Sequence, residues 1–554
     1  MSDLPRPAAR RRAESALLAA LAAVAAFVFL VDLGGGGLTH RDERVYAKIG
    51  VTMLETGDFL TPRYLGDPFF NKPPLAYWAV AASTAAFGES RFAARLPSAL
   101  AAIAGILLVA RFAAVRISLA AGAVAGLAAL ANWLYFSNGR LSMMDAPLAV
   151  LVFLALTLIL RGRRVAAWGV MGAAVLLKGF LGVVLPLGAV AAGLALARRP
   201  REALRLASVP AVAVFLLVAA PWYVAMAAVH GRAFVDFFFG TEHLFAYMGE
   251  AGRRTYDAWP YPFFAIFSFG AFAPAVVIGA WATARSARGD VARCACFVLG
   301  AGTIVGFALA FRKADRYFLP AVLPLAVLAA DFLVHGTARA ARFALGAGAS
   351  VLALAALGAP LAVAWATAGE ASSARLLLAA LPFAAGAAAA VSFLRGGRRD
   401  AAAASLGAGS VAGLAAAVAF FLGDLAHDPG PRFTAAIEAA GLSAAPFAAE
   451  TGQLETRLNL DFDRKVERLP DATALARWLE AADERGVAAV LRTTFDALPP
   501  DARDRAVVLA EDWQFARVSW RLLEAQGLAA TWRGARVPIV LVERRARAGG
   551  ATPR

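Results

Sequence analysis

The stretch LTHRDERVYAKIG, Leu38–Gly50, decides how the rest of the chain is read. It follows the apolar run AALAAVAAFVFLVDL and a GGGG spacer, and it sets Arg41, Asp42, Glu43 and Arg44 in consecutive positions. A knot of charge where an apolar run ends marks a chain leaving hydrocarbon, because charged side chains are costly inside a bilayer and are kept for its edges. Chemistry is therefore expected in the loops that join apolar spans.

Working outward, the 554 residues are 60% hydrophobic and only 17% charged, with a mean hydropathy of +0.63. So much apolar surface needs lipid as its solvent, which excludes an ordinary soluble globule. A net charge of +16 would suggest nucleic acid in a soluble protein, but most basic residues here fall in short connectors between apolar runs, where they set topology. No nucleic acid partner is expected. Cys294 and Cys296 sit too close in one apolar segment to bridge each other, and read as packed or lipid-facing thiols. The N-terminal run is too long for a signal peptide and lacks a clear cleavage site, so it is expected as a retained helix.

Runs near the roughly 20 residues that span hydrocarbon lie at 15–33, 93–113, 117–137, 145–161, 165–177, 179–197, 206–228, 262–283, 291–311, 316–335, 342–366, 374–394 and 402–423. That predicts an all-α polytopic domain over 1–424 with about thirteen spans. Span 165–177 is short enough that it and its neighbour could form one element kinked at Lys178 and Gly179. RPAARRR, RFAAVR, RGRR, RRPREALR, RSARGDVAR and RGGRR all fall in alternate connectors, so the N-terminus is expected in the cytoplasm. The opposite connectors carry charge of mixed sign, and the first of them, 34–92, is the longest. After residue 424 the apolar runs stop. DATALARWLEAADERG reads as an amphipathic helix, and VAAVLR and VPIVLVERR as buried strands, so 425–554 is expected as a small extracytoplasmic α/β domain.

Within 34–92, residues Arg44–Glu55 have helical spacing, with Asp42 and Glu43 at the N-terminal end that favours acidic side chains. TGDFLTPRYLGDPFFNKPPLAYW follows. Phe69, Phe70, Tyr77 and Trp78 flank Lys72, the pattern of an interfacial helix carrying a snorkelling lysine. From position alone, Asp42 reads equally as a helix cap or a functional carboxylate.

The order DERVYAKIGVTMLETGDFLTPRYLGDPFFNKPPLAYW, FGESRFAARLPSALAA and RLSMMDAP resembles the bacterial lipid A aminoarabinose transferases and protein O-mannosyltransferases. These are integral-membrane glycosyltransferases of the GT-C superfamily. The resemblance covers about residues 10 to 335 and continues more loosely beyond. It implies a sugar donor on undecaprenyl or another polyprenyl phosphate, and an acceptor that is lipid A, a related glycolipid or a protein. It also implies a multi-pass protein of the bacterial inner membrane with its active site and C-terminal domain in the periplasm.

Carried onto this chain, the resemblance makes Asp42 the catalytic carboxylate, with Asp145 as a second acidic position and Glu43 ranked behind them. Lys72 becomes a ligand of the donor phosphate. Further matches lie around Lys178, Trp222, Glu242 and His243, and in RKADRYFLP, which contains Lys313 and Tyr317. Two positions depart from the pattern. Asn71 stands where many relatives place a glutamate, and Ala246 where an arginine follows EHL, leaving Arg253 or Arg254 to supply that cation. Fixed cations suffice to hold a lipid phosphate, so no cofactor is required and a divalent metal is the one candidate. The rival class is a lipid or sugar transporter, which would carry mid-membrane charges and internal repeats; neither is evident in the sequence.

Overall fold

Each of the thirteen apolar runs folds as a helix or a pair of helices, because a backbone in hydrocarbon must satisfy its own hydrogen bonds. In the computed structural model, residues 8–35, 41–244, 261–286, 289–310, 314–366, 373–420, 430–450, 466–480, 485–515 and 536–544 are described. Among them, seven helices are long and apolar enough to cross a membrane, or eight if the pair Leu119–Leu130 and Trp133–Gly139, bent by 66°, is one span. Shorter apolar helices, including Asp145–Leu160 and Leu181–Leu196, pack among these. The chain is a multi-pass membrane protein.

The segment around Lys178 is two helices. Arg164–Lys178 ends at Gly179, whose φ of +76° glycine adopts more readily than other residues. Leu181–Leu196 then folds back, and Gly182 lies so close to the backbone of Ala174 that a Cβ would meet it at 2.5 Å. Alternation follows: Arg164 and Leu194 border one cavity together with Arg116, Leu160 and His335, while Asp145 and Lys178 meet at the other end of the same helices. Cys294 and Cys296 are buried, the former beside Ala197, as packed thiols.

The chain divides into two compact units, one of Met1–Gly35, Ile49–Arg63 and Pro68–Leu422, the other of Gly36–Lys48, Tyr64–Asp67 and Gly423–Arg554. The second unit holds a mixed five-stranded sheet. A two-residue pair, β1 (Arg63–Tyr64) and β2 (Asp67–Pro68), precedes it in sequence. Its own strands are β3 (Phe447–Glu450), β4 (Glu467–Leu469), β5 (Gly486–Leu491), β6 (Ala506–Phe515) and β7 (Arg536–Arg544), in the order β4-β3-β5-β7-β6. β3 runs parallel to β4 and β5, and β7 runs antiparallel to β5 and β6. β5 and β7 form the apolar centre of this sheet, and the helix Ala472–Glu480 covers one face through Leu475, Trp478 and Leu479.

In the first loop, the helix spans Arg41–Thr56, three residues earlier than the spacing suggested. Lys72 corrects a second expectation. It lies in the turn before the helix Leu75–Phe87 rather than on a helix along the surface. Pro73 and Pro74 account for this, since each lacks an N–H and biases the residue before it away from helical geometry, so the pair starts a helix and leaves Lys72 ahead of it.

Candidate functional site

Helix ends place the charges. Asp145 opens the helix Asp145–Leu160, where the positive end of the macrodipole favours a carboxylate. Lys178 closes the helix Arg164–Lys178, where the negative end favours a cation. The turn before Asp145 is fixed by Ser98, whose hydroxyl donates to the Met143 carbonyl at 2.7 Å and accepts from the Met143 N–H at 3.2 Å. Arg140, in the same RLSMMDAP motif, donates to the carbonyls of Val28, Val31 and Asp32 at 2.6, 2.8 and 3.0 Å, closing the end of the first helix.

These ends bring together residues that are far apart in sequence. The Lys178 ammonium donates to Asp145 Oδ1 in a short contact, and Arg316 Nε lies 3.7 Å from Asp145 Oδ2. The carboxylate is 5% exposed, Lys178 10% and Arg316 19%, so solvent screens the group weakly. Tyr317 forms the wall, its ring centroid 4.9 Å from Lys178 Nζ and 5.7 Å from Arg316 Cζ, in cation–π contact with both. Phe307 supports that ring at 5.3 Å. Arg316 is one of the charges in the outer connectors, but neither its position nor the resemblance gives it a role. Its signal was its place beside Tyr317 in RKADRYFLP.

Lys72 and Arg316 both lie within electrostatic range of the Lys178 ammonium. Lys72 donates to the Asn71 carbonyl at 3.1 Å, and its loop is anchored from both sides. Asp58 Oδ1 accepts from the N–H groups of Leu60 and Thr61, and Thr61 Oγ1 hydrogen-bonds His230 Nε2 at 2.9 Å. The indoles of Trp78 and Trp222 donate to the carbonyls of Phe59 and Leu60 at 2.8 and 2.9 Å. Phe70 packs edge-on against His230 and Phe234. APWYVAM thus serves through Trp222, which fastens the loop that carries Lys72.

Asp42 and Glu43 belong to the second unit, in the first turn of Arg41–Thr56, Asp42 partly exposed and Glu43 fully buried. Glu242 and His243 lie in the wide-wound helical segment Asp236–Leu244, but their side chains are outside the described residues. Arg253, Arg254 and Lys313 are also outside them. For a divalent metal the fit is poor: both oxygens of Asp145 already face cations, and no three metal-ligating side chains converge among the described residues.

Chemically, one carboxylate holding two cations, with a third cation in range, makes a positively charged seat at the ends of apolar helices. Such a seat suits an anion that arrives on a lipid.

Residues 71–224, which include Lys72, Asp145 and Lys178, match the protein family described as dolichyl-phosphate-mannose-protein mannosyltransferase. The undecaprenyl phosphate-alpha-4-amino-4-deoxy-L-arabinose arabinosyl transferase of Pseudomonas paraeruginosa is 32% identical over 375 residues, 63% of this chain and 65% of that protein. Its counterpart in Pectobacterium atrosepticum is 30% identical over 329 residues, 56% of this chain and 57% of that protein. The chain therefore matches somewhat under two thirds of the length of these curated relatives. The crystal structure of ArnT from Cupriavidus metallidurans bound to undecaprenyl phosphate superposes with a TM-score of 0.72 over 98% of this chain and 100% of that one, at 23% identity. The two share a fold.

Proposed function

We propose, with that fold and those likenesses as the premise, that this chain is an integral-membrane glycosyltransferase. It moves a sugar from an undecaprenyl phosphate donor to lipid A or a related glycolipid. The observation that carries this reading is the Asp145–Lys178–Arg316 cluster against Tyr317, with Lys72 in electrostatic range of Lys178.

Transfer breaks the bond between the anomeric carbon and the phosphate oxygen, and the electron pair leaves with the lipid phosphate. Cations aimed at that phosphate stabilise charge as it develops, which lowers the barrier more than it tightens ground-state binding. Lys72, Lys178 and Arg316 supply the charge. Asp145 keeps two of them in place and limits their mutual repulsion. An acceptor phosphate attacks as an anion and needs no base, so Asp42 then orients the donor or stabilises positive charge on the sugar ring. A hydroxyl acceptor would instead make Asp42 a general base.

In this reading the protein sits in the bacterial inner membrane, with the seat and residues 425–554 on the periplasmic side and the basic connectors in the cytoplasm. The test is mass spectrometry of lipid A from cells with and without the gene, paired with transfer by the purified protein from a synthetic undecaprenyl phosphate sugar. Unchanged lipid A together with no transfer in vitro overturns the proposal. A modified glycoprotein in place of lipid A moves the acceptor to protein.

A further inference from the structure

At the end of the bundle opposite Asp145 and Lys178 lies a cavity of about 700 Å³. The helix Asp145–Leu160 joins the two places, and its 16 residues separate them by about 24 Å at 1.5 Å per residue. The cavity is therefore no part of the donor seat.

Its polar wall is basic. Five arginines, Arg116, Arg164, Arg199, Arg205 and Arg293, face three carboxylates, Glu202, Asp290 and Asp331, leaving two positive charges in excess with His335 neutral. The carboxylates are already engaged. Glu202 pairs with Arg199 at 2.5 Å, and Asp331 with Arg293 at 2.9 Å and His335 at 2.8 Å. Asp290 accepts from the N–H groups of Ala292 and Arg293. Arg116 donates to the Leu160 carbonyl at 3.2 Å and lies over the ring of Phe112. Among the described residues, Arg116, Arg164 and Arg205 have no carboxylate partner. The rest of the wall is apolar, from residues such as Ile117, Ile159, Val190, Leu194 and Leu328.

We infer that this cavity binds the phosphate headgroup of an anionic phospholipid. A phosphate diester matches the arginines, whose planar forks hold phosphate oxygens in pairs. The apolar side matches the glycerol and first methylenes, and the volume lies within the range of small-ligand sites. The cavity lies at helix ends flanked by basic connectors, and basic pockets between membrane helices recognise such headgroups. The inference stands apart from the transferase reading, since it involves none of that reaction's residues.

The experiment uses the purified full-length protein carried in phosphatidylcholine with added phosphatidylglycerol, released into detergent and weighed by native mass spectrometry. Wild type is expected to retain phosphatidylglycerol, and Arg164→Gln/Arg205→Gln to retain at least about tenfold less, as the loss of two charge-assisted contacts implies. Arg164→Lys/Arg205→Lys keeps the charge without the planar forks and should retain an amount between wild type and the glutamine variant, which separates recognition from a folding defect. Arg395→Gln/Arg398→Gln, on another basic connector, is the control and should retain lipid as wild type does. Equal loss in that control, or equal retention of phosphatidylcholine, overturns the inference. Displacement by inorganic pyrophosphate with no lipid retained overturns the lipid source and makes the ligand a soluble phosphate.

Discussion

Asp145→Asn removes the one negative charge of the seat while keeping its shape. The carboxylate is 5% exposed and lies 3.7 Å from Arg316 Nε, with Lys178 in closer contact. At an effective dielectric constant of about 20, unit charges 3.7 Å apart attract by about 4.5 kcal/mol. Desolvation of the partners offsets much of that in the native protein. Removing one partner alone exposes the imbalance, because two largely buried cations then face each other without that counter-charge, at a cost of about 3–5 kcal/mol. The expected result is a loss of about 3 kcal/mol in reversible SDS unfolding followed by tryptophan fluorescence. Transfer should fall by about 100-fold, equivalent to roughly 2.7 kcal/mol in the barrier, as the cations move off the donor phosphate. Asp145→Asn/Lys178→Met should regain most of the stability and stay inactive. If Asp145→Asn unfolds within about 0.5 kcal/mol of wild type and turns over normally, the seat is neither structural nor catalytic and the reasoning fails.

Other outcomes follow from the same geometry. Lys72→Ala should raise the KM for the polyprenyl phosphate sugar and lower kcat at matched protein levels, with Lys72→Arg recovering part of both; wild-type kinetics in Lys72→Ala would remove Lys72 from the donor site. Asp42→Asn should abolish transfer at a stability cost of only about 0.5–2 kcal/mol, the range of a helix-cap change, and retained turnover would leave Asp42 a cap. Cysteines placed at Thr56 and Asp471 should both react with a membrane-impermeant maleimide in spheroplasts, against a low background from buried Cys294 and Cys296; labelling of one alone refutes a common side. Asp58 supplies a pH test. Partial burial raises its pKa, but the N–H groups of Thr61 and Leu60 and the guanidinium of Arg63 outweigh that and hold it below the usual carboxylate range. A depressed folded pKa stabilises the loop above the unfolded value of about 3.9 and ceases to do so as pH falls through the folded one. A fluorescence change from Trp78 and Trp222 is therefore expected below about pH 4 and should be absent in Asp58→Asn.

The membrane helices were legible because lipid imposes a single requirement, a long apolar run, and the chain states it repeatedly. β5 and β7 were legible because GVAAVL and IVLVER are buried on both faces. β3 and β4 were not: FAAE and ERL are too short and too mixed to declare themselves without the neighbours they pair with. In the site, Asp145, Lys178 and Tyr317 could be named from their motifs. That Lys178 reaches back 33 residues to Asp145 follows from a hairpin of two helices, and no local pattern encodes it. Arg316 is legible as an outer-face charge, but its reach to Asp145 is not, because the two are 171 residues apart in sequence. The aromatic neighbours of Lys72 suggest an interfacial helix, whereas Pro73 and Pro74 start the helix Leu75–Phe87 after it.

The clamp of Arg140 on the end of the first helix bears on how the protein is made. The carbonyls of Val28, Val31 and Asp32 leave the ribosome 108 to 112 residues before the side chain that receives them. At synthesis rates of about 5–20 residues per second, that gap lasts roughly 6–20 seconds. Throughout it, water or lipid headgroups must satisfy the helix end. The first helix therefore enters the bilayer as a provisional anchor, held at Leu33 and Gly35 once Arg95 is made and clamped at Val28 and Val31 when the fourth predicted span begins to emerge. A nascent chain arrested before residue 140 should show an end open to proteases, and one arrested well after it should not.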